Sequence, residues 1–404
     1  MGLNETPSSE RIHIGIFGKR NAGKSSVINA ITNQNLAIVS EQKGTTTDPV
    51  YKAMELLPLG PVMLIDTPGL DDLGKLGQLR VEKAYQVLNK TDIALVIIDA
   101  TSGITQEDTE LIEQIKKKNL NYLLVFNKAD EAPAFIIPAE YAQDSILVSA
   151  VTKLHIQELK EKLAHLVPNK DMTLKLIGDL LQPLDLVVLV VPIDSAAPKG
   201  RLILPQQQTI RDILEARALS LVVQTSELED TLKRFGSQVK MVVTDSQAFA
   251  QVSKITPPHI LLTSFSILFA RYKGDLVTSI KGAQALDKIK DGDKILIAEG
   301  CTHHRQCNDI GTVKLPGWIK KYTGKEPVFE FSSGIEFPRD LSPYKLIVHC
   351  GACMLNEKEV KYRIATAVAQ NIPITNYGIT IAYLHGILKR TVEPFPAIHA
   401  LLEK

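Results

Sequence analysis

Short apolar runs alternate with amphipathic stretches through the first 168 residues of the chain. Runs rich in Ile, Val and Leu predict strands at Ile12–Phe17, Val50–Leu57, Val62–Ile65, Ile93–Ile98, Tyr122–Phe126 and Ile146–Val148. Apolar positions at helical spacing predict helices at Lys24–Thr32, Lys75–Leu88, Gln106–Lys117 and Ile156–Leu166. Because such alternation is typical of βαβ units, residues 1–168 are expected to form a parallel-rich sheet flanked by helices.

Two further segments follow a turn-rich linker at residues 167–171. Residues 169–264 predict a small central α/β domain with strands at Leu184–Val191, Ser220–Val223 and Gln238–Val243 and a helix at Gln207–Ala218. Its apolar content has two equally weighted interpretations. Exposed apolar residues would favour self-association, whereas a domain in which all of these residues form the core needs no partner. Residues 265–404 predict strands at Lys294–Ala298, Pro327–Phe331, Lys345–His349 and Ile379–Leu384, with helices near Glu357–Gln370 and in the C-terminal tail.

Composition restricts the class of protein. The 404 residues exceed one ordinary hydrophobic core, so we expect three domains, and 45% apolar with 23% charged residues is typical of a soluble globular protein. A net charge of +1 provides no broad basic field for nucleic acid. The polar N-terminal stretch has no secretory h-region, and no apolar run approaches the roughly 20 residues of a spanning helix. We therefore expect a cytoplasmic protein without membrane or nucleic-acid partners.

A nucleotide-binding loop lies between the first predicted strand and the first predicted helix. The string from Gly18 to Ser25 matches G-x-x-x-x-G-K-[ST], whose backbone N–H groups surround a phosphate at a helix N-terminus. In this pattern Lys24 reaches the β- and γ-phosphates and Ser25 binds Mg²⁺. The loop residues expected at the nucleotide are Gly18, Asn21, Ala22, Gly23, Lys24, Ser25 and Ser26.

Two downstream loops complete the phosphate site. In the string 66–69, Asp66 is placed to reach Mg²⁺ through water, and the Gly69 N–H to meet the γ-phosphate. In the string 44–48, the Thr46 hydroxyl completes the Mg²⁺ shell only when the γ-phosphate is present, which makes this loop a switch. The candidate catalytic residues are Lys24, Thr46, Asp66 and Gly69.

Guanine specificity is predicted from two short strings. Asp130, in Asn127-Lys-Ala-Asp130, accepts hydrogen bonds from guanine N1–H and its 2-amino group, a donor pair that adenine lacks. The Lys128 stem lies along the base, and Ser149-Ala150 offers a backbone N–H to the guanine carbonyl. Together, in this order, the motifs predict GTP hydrolysis.

Residues 11–168 resemble the GTPase domains of the TrmE, Era and EngA kind. The resemblance rests on Asn21 in the phosphate loop and on the string 44–48. It implies that Asn21 coordinates K⁺, which stabilises the charge of the transition state, because Leu70 stands where Ras-type enzymes keep a water-orienting Gln. Asp71 and Asp72 are weak candidates for activating the water. We expect slow, K⁺-stimulated hydrolysis that responds to Asn21→Ala.

All four cysteines, at 301, 307, 350 and 353, lie in the last third of the chain. In a cytoplasmic protein this grouping favours metal or redox chemistry over structural disulfides. His349-Cys350-x-x-Cys353 and Cys301-x-His303 each follow a predicted strand, so they are expected to converge at one sheet edge. The residues alone leave Zn²⁺, an iron–sulfur cluster and simple buried thiols open.

The cysteine strings on the same chain as a GTPase resemble the [FeFe]-hydrogenase maturation GTPases of the HydF family. The resemblance covers a GTPase domain (1–168), a dimerisation domain (169–264) and an iron–sulfur cluster domain (265–404). It implies that Cys301, Cys350 and Cys353 ligate a [4Fe–4S] cluster and that His303 and His349 are candidates for the fourth ligand or for contacts to a bound diiron precursor. His304 and Cys307 fall outside the motif.

The same resemblance implies a function. A homodimeric scaffold would receive the diiron precursor from the radical-SAM maturases HydE and HydG and deliver it to apo-[FeFe]-hydrogenase, HydA, with GTP, Mg²⁺ and K⁺ at the N-terminal domain. A ribosome- or RNA-associated GTPase with a structural zinc site is the alternative. The neutral net charge and the absence of an evident RNA-binding string count against this alternative.

Overall fold

The computed structural model describes residues 6–33, 49–69, 83–167, 175–193, 202–300, 309–334 and 336–402. The chain divides into two compact units, residues 1–170 and residues 171–404. None of the helices in these described ranges is long and apolar enough to cross a membrane.

The first unit is built around a six-stranded sheet. Its elements are β1 (Ile12–Phe17), α1 (Lys24–Thr32), β2 (Val50–Leu56), β3 (Gly60–Asp66), β4 (Ile93–Asp99), α2 (Gln106–Lys117), β5 (Asn121–Asn127), β6 (Ser145–Leu147) and α3 (Ile156–His165). The strand order is β2-β3-β1-β4-β5-β6, and all pairs are parallel except β2 with β3. Residues 83–88 are also helical, and the rest of the helix predicted at Lys75–Leu88 lies outside the described residues.

The apolar runs of the central strands become buried on both faces of this sheet. In β4, for example, Ile93, Leu95 and Ile97 pack on one side and Ala94, Val96 and Ile98 on the other. Parallel strands covered on both faces need such continuous apolar sequences, because neither face meets water. The parallel-rich sheet predicted from the sequence is thereby confirmed.

The second unit contains two parallel four-stranded sheets. The first has the order β10-β9-β7-β8, and the second has the order β12-β11-β13-β14. Their elements, in chain order, are β7 (Leu186–Val190), α4 (Leu204–Glu215), β8 (Leu219–Val223), α5 (Leu228–Phe235), β9 (Val239–Thr244), α6 (Phe249–Ile255), β10 (Leu261–Ser264), α7 (Phe265–Lys273), α8 (Leu276–Ala283), β11 (Lys294–Ala298), α9 (Leu315–Thr323), β12 (Val328–Ser332), β13 (Leu346–His349), α10 (Glu357–Ala369), β14 (Ile374–Asn376), α11 (Tyr377–Leu384), α12 (Leu388–Thr391) and α13 (Pro396–His399).

Short helical turns connect these elements in both units. The 3₁₀ turns are Ser8–Glu10, Ala139–Tyr141, Gly178–Leu180, Thr225–Glu227, Ser246–Ala248 and Gln284–Lys288, and Ile310–Lys314 forms a π-helical turn before α9. One hydrophobic core spans both sheets of the second unit, from Val188 of β7 to Val348 of β13. The two sheets therefore belong to one packed body, although the sequence assigns them to separate domains.

The strand predicted at Ile379–Leu384 is wrong, because these residues form most of helix α11. Ile379, Ile381 and Ala382 are all buried, so the segment has no polar face to reveal the helical period. A short, uniformly apolar run has the same appearance in a buried strand and in a buried helix. The helix begins where the Asn376 side chain accepts a hydrogen bond from the Ile379 N–H, an N-cap that ends β14.

Candidate functional site

The phosphate loop joins β1 to α1 and depends on two glycines. Gly18 and Gly23 have φ angles of 140° and 88°, which L side chains rarely adopt. A Cβ at position 18 would also lie 2.2 Å from the Ile97 carbonyl oxygen. The backbone thus turns tightly out of the sheet and enters α1 at Lys24, with the helix N-terminus at the loop.

Lys24 and Ser25 occupy the first turn of α1. The Lys24 ammonium donates hydrogen bonds to the Gly18 carbonyl at 2.9 Å and the Lys19 carbonyl at 2.8 Å, so it lies across the mouth of the loop. Ser25 is partly buried beside it. This position suits an ammonium that contacts phosphate oxygens and a hydroxyl that contacts Mg²⁺.

Asp66 ends β3 next to β1. Its Oδ1 is buried and has no hydrogen-bond partner among the described residues. Burial raises the pKa of the Asp66 carboxyl, and the charge of Lys24 opposes that rise. A buried carboxylate oxygen without a partner fits a divalent cation or its bound water. Thr46 and Leu70 through Asp72 lie outside the described residues, so their predicted roles stay predictions.

The Asn127 side chain connects the predicted guanine-binding segments to the phosphate loop. This side chain is 3% exposed; its Nδ2 donates to the Ala22 carbonyl and its Oδ1 accepts from the Ala150 N–H, each at 3.1 Å. It therefore ties the phosphate loop to the Ser149-Ala150 loop. Asp130 is exposed and Ser149 is fully buried.

Asp99 is a site residue that the sequence reasoning missed. It ends β4 and forms an ion pair with Lys128, which has a positive φ of 70°. Burial raises the pKa of Asp99, but hydrogen bonds from Lys128 and Thr101 outweigh burial and lower it. The available signal was its place directly after a buried parallel strand, where polar side chains of an α/β sheet collect at the ligand-binding edge.

The second candidate site lies at the ends of β11 and β13, which are adjacent and parallel. Ala298 pairs with His349, so the two cysteine strings begin at neighbouring strand ends. The Cys350 Sγ accepts hydrogen bonds from the Gly300 N–H at 3.0 Å and the Ala352 N–H at 3.4 Å. Gly300 immediately precedes Cys301 in the chain, although Cys301, His303, His304 and Cys307 lie outside the described residues.

The turn after Cys350 directs one of its N–H groups, that of Ala352, at the Cys350 sulfur. Ala352 has a φ of 55°, an uncommon conformation for a residue other than glycine, and its side chain is buried. Such conformations cost free energy and tend to occur where a site requires them. Burial, followed by the charge of Cys350, raises the pKa of the Cys353 thiol to about 11, while the Lys273 ammonium opposes the rise.

The described cysteines fit an iron–sulfur cluster or a zinc ion. Two backbone N–H groups donate to the Cys350 sulfur, an arrangement that suits a thiolate bound to a metal. Within the described ranges, no group of three or more His, Cys, Asp and Glu residues is placed to hold a metal. Of the three cysteines predicted as ligands, the described residues include Cys350 and Cys353.

His349 is held by two neighbours in the structure. Its Nδ1 lies 2.9 Å from the Cys350 carbonyl oxygen and its Nε2 lies 3.1 Å from the Arg363 Nη1. Iron ligation by His349 would require one of these contacts to break. The sequence reasoning missed Arg363, whose signal was a charged Glu359/Arg363 pair at i, i+4 on the apolar face of a predicted helix.

Three family models match successive parts of the chain. A model described as a 50S ribosome-binding GTPase matches residues 13–128, one for the hydrogen maturase F dimerization domain matches 176–274, and one for the hydrogen maturase F tetramerization domain matches 277–394. The second and third models divide between residues 274 and 277, whereas the sequence placed a boundary after residue 264. The sequence prediction of these bounds stays a prediction.

Curated relatives match only part of the chain. A tRNA modification GTPase MnmE of Desulforamulus reducens is 35% identical over 164 residues, which is 39% of this chain and 35% of that protein. A GTPase Der of Kosmotoga olearia is 36% identical over 135 residues, which is 32% of this chain and 30% of that protein. The chain thus spans about a third of the length of these relatives.

Solved structures give a weaker likeness. The crystal structure of a variant Era from Aquifex aeolicus bound to GDP and AlF₄⁻ is 21% identical and covers 62% of this chain and 99% of that chain. Its TM-score is 0.34.

The site and the family models agree on the N-terminal unit. It is a GTPase domain, with GTP as its nucleotide and Mg²⁺ as its metal. The matched dimerization and tetramerization domains support homo-oligomerisation and together span more than half of the 404 residues. The chain belongs to the hydrogen maturase F family, HydF.

Proposed function

We propose that the protein is a GTP-hydrolysing scaffold that binds a [4Fe–4S] cluster and a diiron precursor and delivers the precursor to apo-[FeFe]-hydrogenase. The observation that carries the cluster assignment is the Cys350 sulfur, which accepts two backbone N–H groups at the shared edge of β11 and β13. One donor belongs to Gly300, which directly precedes Cys301, the third predicted ligand, in the sequence.

Cys301, Cys350 and Cys353 would hold the cluster. When bound, it would supply an iron with an open coordination position at which a precursor docks. This chain's own residues hold the loop: the Gly300 and Ala352 N–H groups orient one sulfur, and Lys273 holds the backbone beyond Cys353. HydE and HydG are the proposed sources of the precursor and HydA its recipient.

In the GTPase domain, Lys24, Ser25 and Asp66 would act on the phosphates and Mg²⁺, and Asn21 on a K⁺ ion. Asp130 would select guanine, with Asn127 and Lys128 holding the loop through Ala22 and Asp99. GTP hydrolysis would change the switch loops rather than break bonds at iron.

The test is iron and sulfide analysis of anaerobically purified, reconstituted full-length protein, with its visible spectrum. We expect broad thiolate-to-iron absorption and matching iron and sulfide in the wild type. In Cys350→Ser and Cys353→Ser we expect most of the iron to be lost, because each removes a ligand. GTP turnover should be retained in both variants, since the nucleotide motifs lie in the other compact unit.

Cys307→Ser provides a control, because it removes a thiol of the same segment that falls outside the matched motif. It should retain iron and activate hydrogenase in a reaction that also contains HydE and HydG, whereas Cys350→Ser should not. Iron loss in Cys307→Ser equal to that in Cys350→Ser would overturn the ligand assignment. A colourless protein that retains zinc would favour the structural-zinc GTPase.

A further inference from the structure

A buried ion pair lies next to His349 and the segment after β13 that contains Cys350 and Cys353, which we call the Cys350 turn. Arg363 of α10 is fully buried and its Nε donates to Glu359 Oε1 at 2.8 Å, with Glu359 only 5% exposed. Removing two charges from water destabilises the fold unless their hydrogen-bonding groups are satisfied. The other contacts of the Arg363 guanidinium identify the segments that this ion pair holds in place.

Every nitrogen of the Arg363 guanidinium is used. Nη2 donates to the Gly334 carbonyl at 2.7 Å, Nη1 lies 3.1 Å from His349 Nε2, and the guanidinium carbon is 5.1 Å from the centre of the Phe337 ring. Arg363 thus connects α10 to the loop after β12 and to the end of β13. Of these elements, β13 ends at His349, which directly precedes Cys350.

The chemistry of arginine fixes the direction of these hydrogen bonds. A guanidinium stays protonated and only donates, so His349 Nε2 must be the acceptor. In the neutral ring the proton then resides on Nδ1, which donates to the Cys350 carbonyl oxygen at 2.9 Å. A continuous chain of hydrogen bonds therefore runs from Glu359 through Arg363 and His349 to the Cys350 peptide.

We propose that Arg363, Glu359 and His349 form a positioning relay that sets the orientation of the Cys350 turn, and that His349 supports the thiolate ligand without binding iron. With Nε2 facing Arg363 and Nδ1 protonated, neither ring nitrogen presents a lone pair to a metal. The Cys350 carbonyl is fixed on one side by His349 and the sulfur on the other by the Gly300 and Ala352 N–H groups.

The relay can be tested in metal-free protein. ¹⁵N-histidine NMR of the full-length chain should show His349 as a single Nδ1–H tautomer, a state that Arg363→Met abolishes. Arg390→Met is the matched control, because the Arg390 guanidinium holds three backbone carbonyls of the same unit, those of Ser253, Thr256 and Pro257. A protonated Nε2 in the wild type would overturn the relay. This readout does not depend on the proposed cluster.

Iron retention gives the second readout and rests on the proposed function. Loss of supporting hydrogen bonds around a metal ligand weakens metal binding roughly 10- to 100-fold, so we expect Arg363→Met to release iron to a chelator that much more readily than the wild type or Arg390→Met. Failure of the wild type to take up iron would overturn the proposed function. The His349 tautomer measured by NMR would still test the relay in that case. Equal retention in Arg363→Met would overturn the relay alone.

His349→Gln and His349→Leu separate support from ligation and remain informative if Arg363→Met does not fold. Gln offers an acceptor oxygen to Arg363 and a donor N–H to the Cys350 carbonyl, so it should keep most of the iron, whereas Leu should lose it. Pulsed EPR of the reduced wild-type cluster should show no directly bound imidazole nitrogen. An imidazole coupling that disappears in His349→Gln would identify His349 as a ligand and contradict the proposal.

Discussion

Asn21 is the residue to which the sequence assigns the K⁺ contact, and its backbone conformation decides how that prediction can be tested. It lies in the phosphate loop with a φ of 59° and an exposed side chain. Asparagine tolerates this left-handed conformation better than most residues do. Asn21→Ala would therefore add backbone strain to any lost K⁺ contact, and Asn21→Gly is the cleaner substitution because glycine adopts this φ without a steric cost.

We predict that Asn21→Gly removes the K⁺ stimulation of GTP turnover. If the Asn21 side chain helps to hold a K⁺ ion that stabilises transition-state charge, its removal should lower the rate in K⁺ roughly tenfold or more and leave the rate in Na⁺ unchanged. The measurement is steady-state phosphate release in matched K⁺ and Na⁺ buffers. Asn119→Gly is the control, since Asn119 is also exposed and has a φ of 50° outside the nucleotide motifs. Equal wild-type rates in the two salts would contradict the prediction.

Site residues that belong to a motif could be predicted from the sequence. The interaction partners of residues outside any motif could not. Lys24 and Asp66 were predicted as site residues because the strings 18–25 and 66–69, which contain them, are typical of phosphate and Mg²⁺ binding. Asp99 and Arg363 belong to no string, because their partners Lys128 and His349 lie 29 and 14 residues away, respectively. Only the fold brings such pairs together.

Strands buried on both faces were the elements most predictable from the sequence. The bounds of β1 and β11 agree with the apolar runs, because polar residues or glycines interrupt the sequence where burial ends. The strand predicted at Ile379–Leu384 failed because α11 is buried all round. Helix α7 was not predicted, since its buried positions, such as Phe265, Leu268 and Phe269, give no clear polar face.

The C-terminal end of α7 places a buried lysine next to the loop that contains Cys350 and Cys353. Lys273 is 2% exposed and its Nζ donates to the Leu355 carbonyl at 3.1 Å and to the Cys353 carbonyl at 3.4 Å. Phe269, one turn earlier, places its ring 5.4 Å from the same ammonium. A helix within the dimerization-domain match thus supplies a positive charge to the loop that contains the cysteines.

We predict that Lys273→Met shifts the reduction potential of the reconstituted cluster to a more negative value. Removal of a nearby positive charge makes the addition of an electron less favourable, and the two carbonyls left without their donor should destabilise the fold by about 1–3 kcal/mol. Potentiometric titration and chemical denaturation measure these effects. Lys273→Arg should preserve the potential better than Met. Lys254→Met, in the last turn of α6 and exposed, should change neither quantity. An unchanged potential in Lys273→Met would show that this charge does not act on the cluster.

The number of domains matched by the family models exceeds the number of compact units that the chain forms. Three family models match in succession, yet the chain forms two units, and the core of the second runs without interruption through both of its sheets. Such a shared core couples the two sheets, because exposing one removes apolar contacts from the other. Sequence boundaries mark where segments begin, and they do not show which segments fold together.

We therefore predict two thermal unfolding transitions, not three. Mg²⁺ and GDP at about a hundred times the dissociation constant should stabilise the first unit by roughly 2.7 kcal/mol and move only its transition. Residues 176–274 and 277–394 should unfold together in the other transition. Calorimetry with and without nucleotide measures both effects, and Lys24→Ala should abolish the nucleotide shift while leaving the transition of the second unit in place. A separate transition for the dimerization domain, or a nucleotide shift of both transitions, would show that the shared core does not act as one cooperative unit.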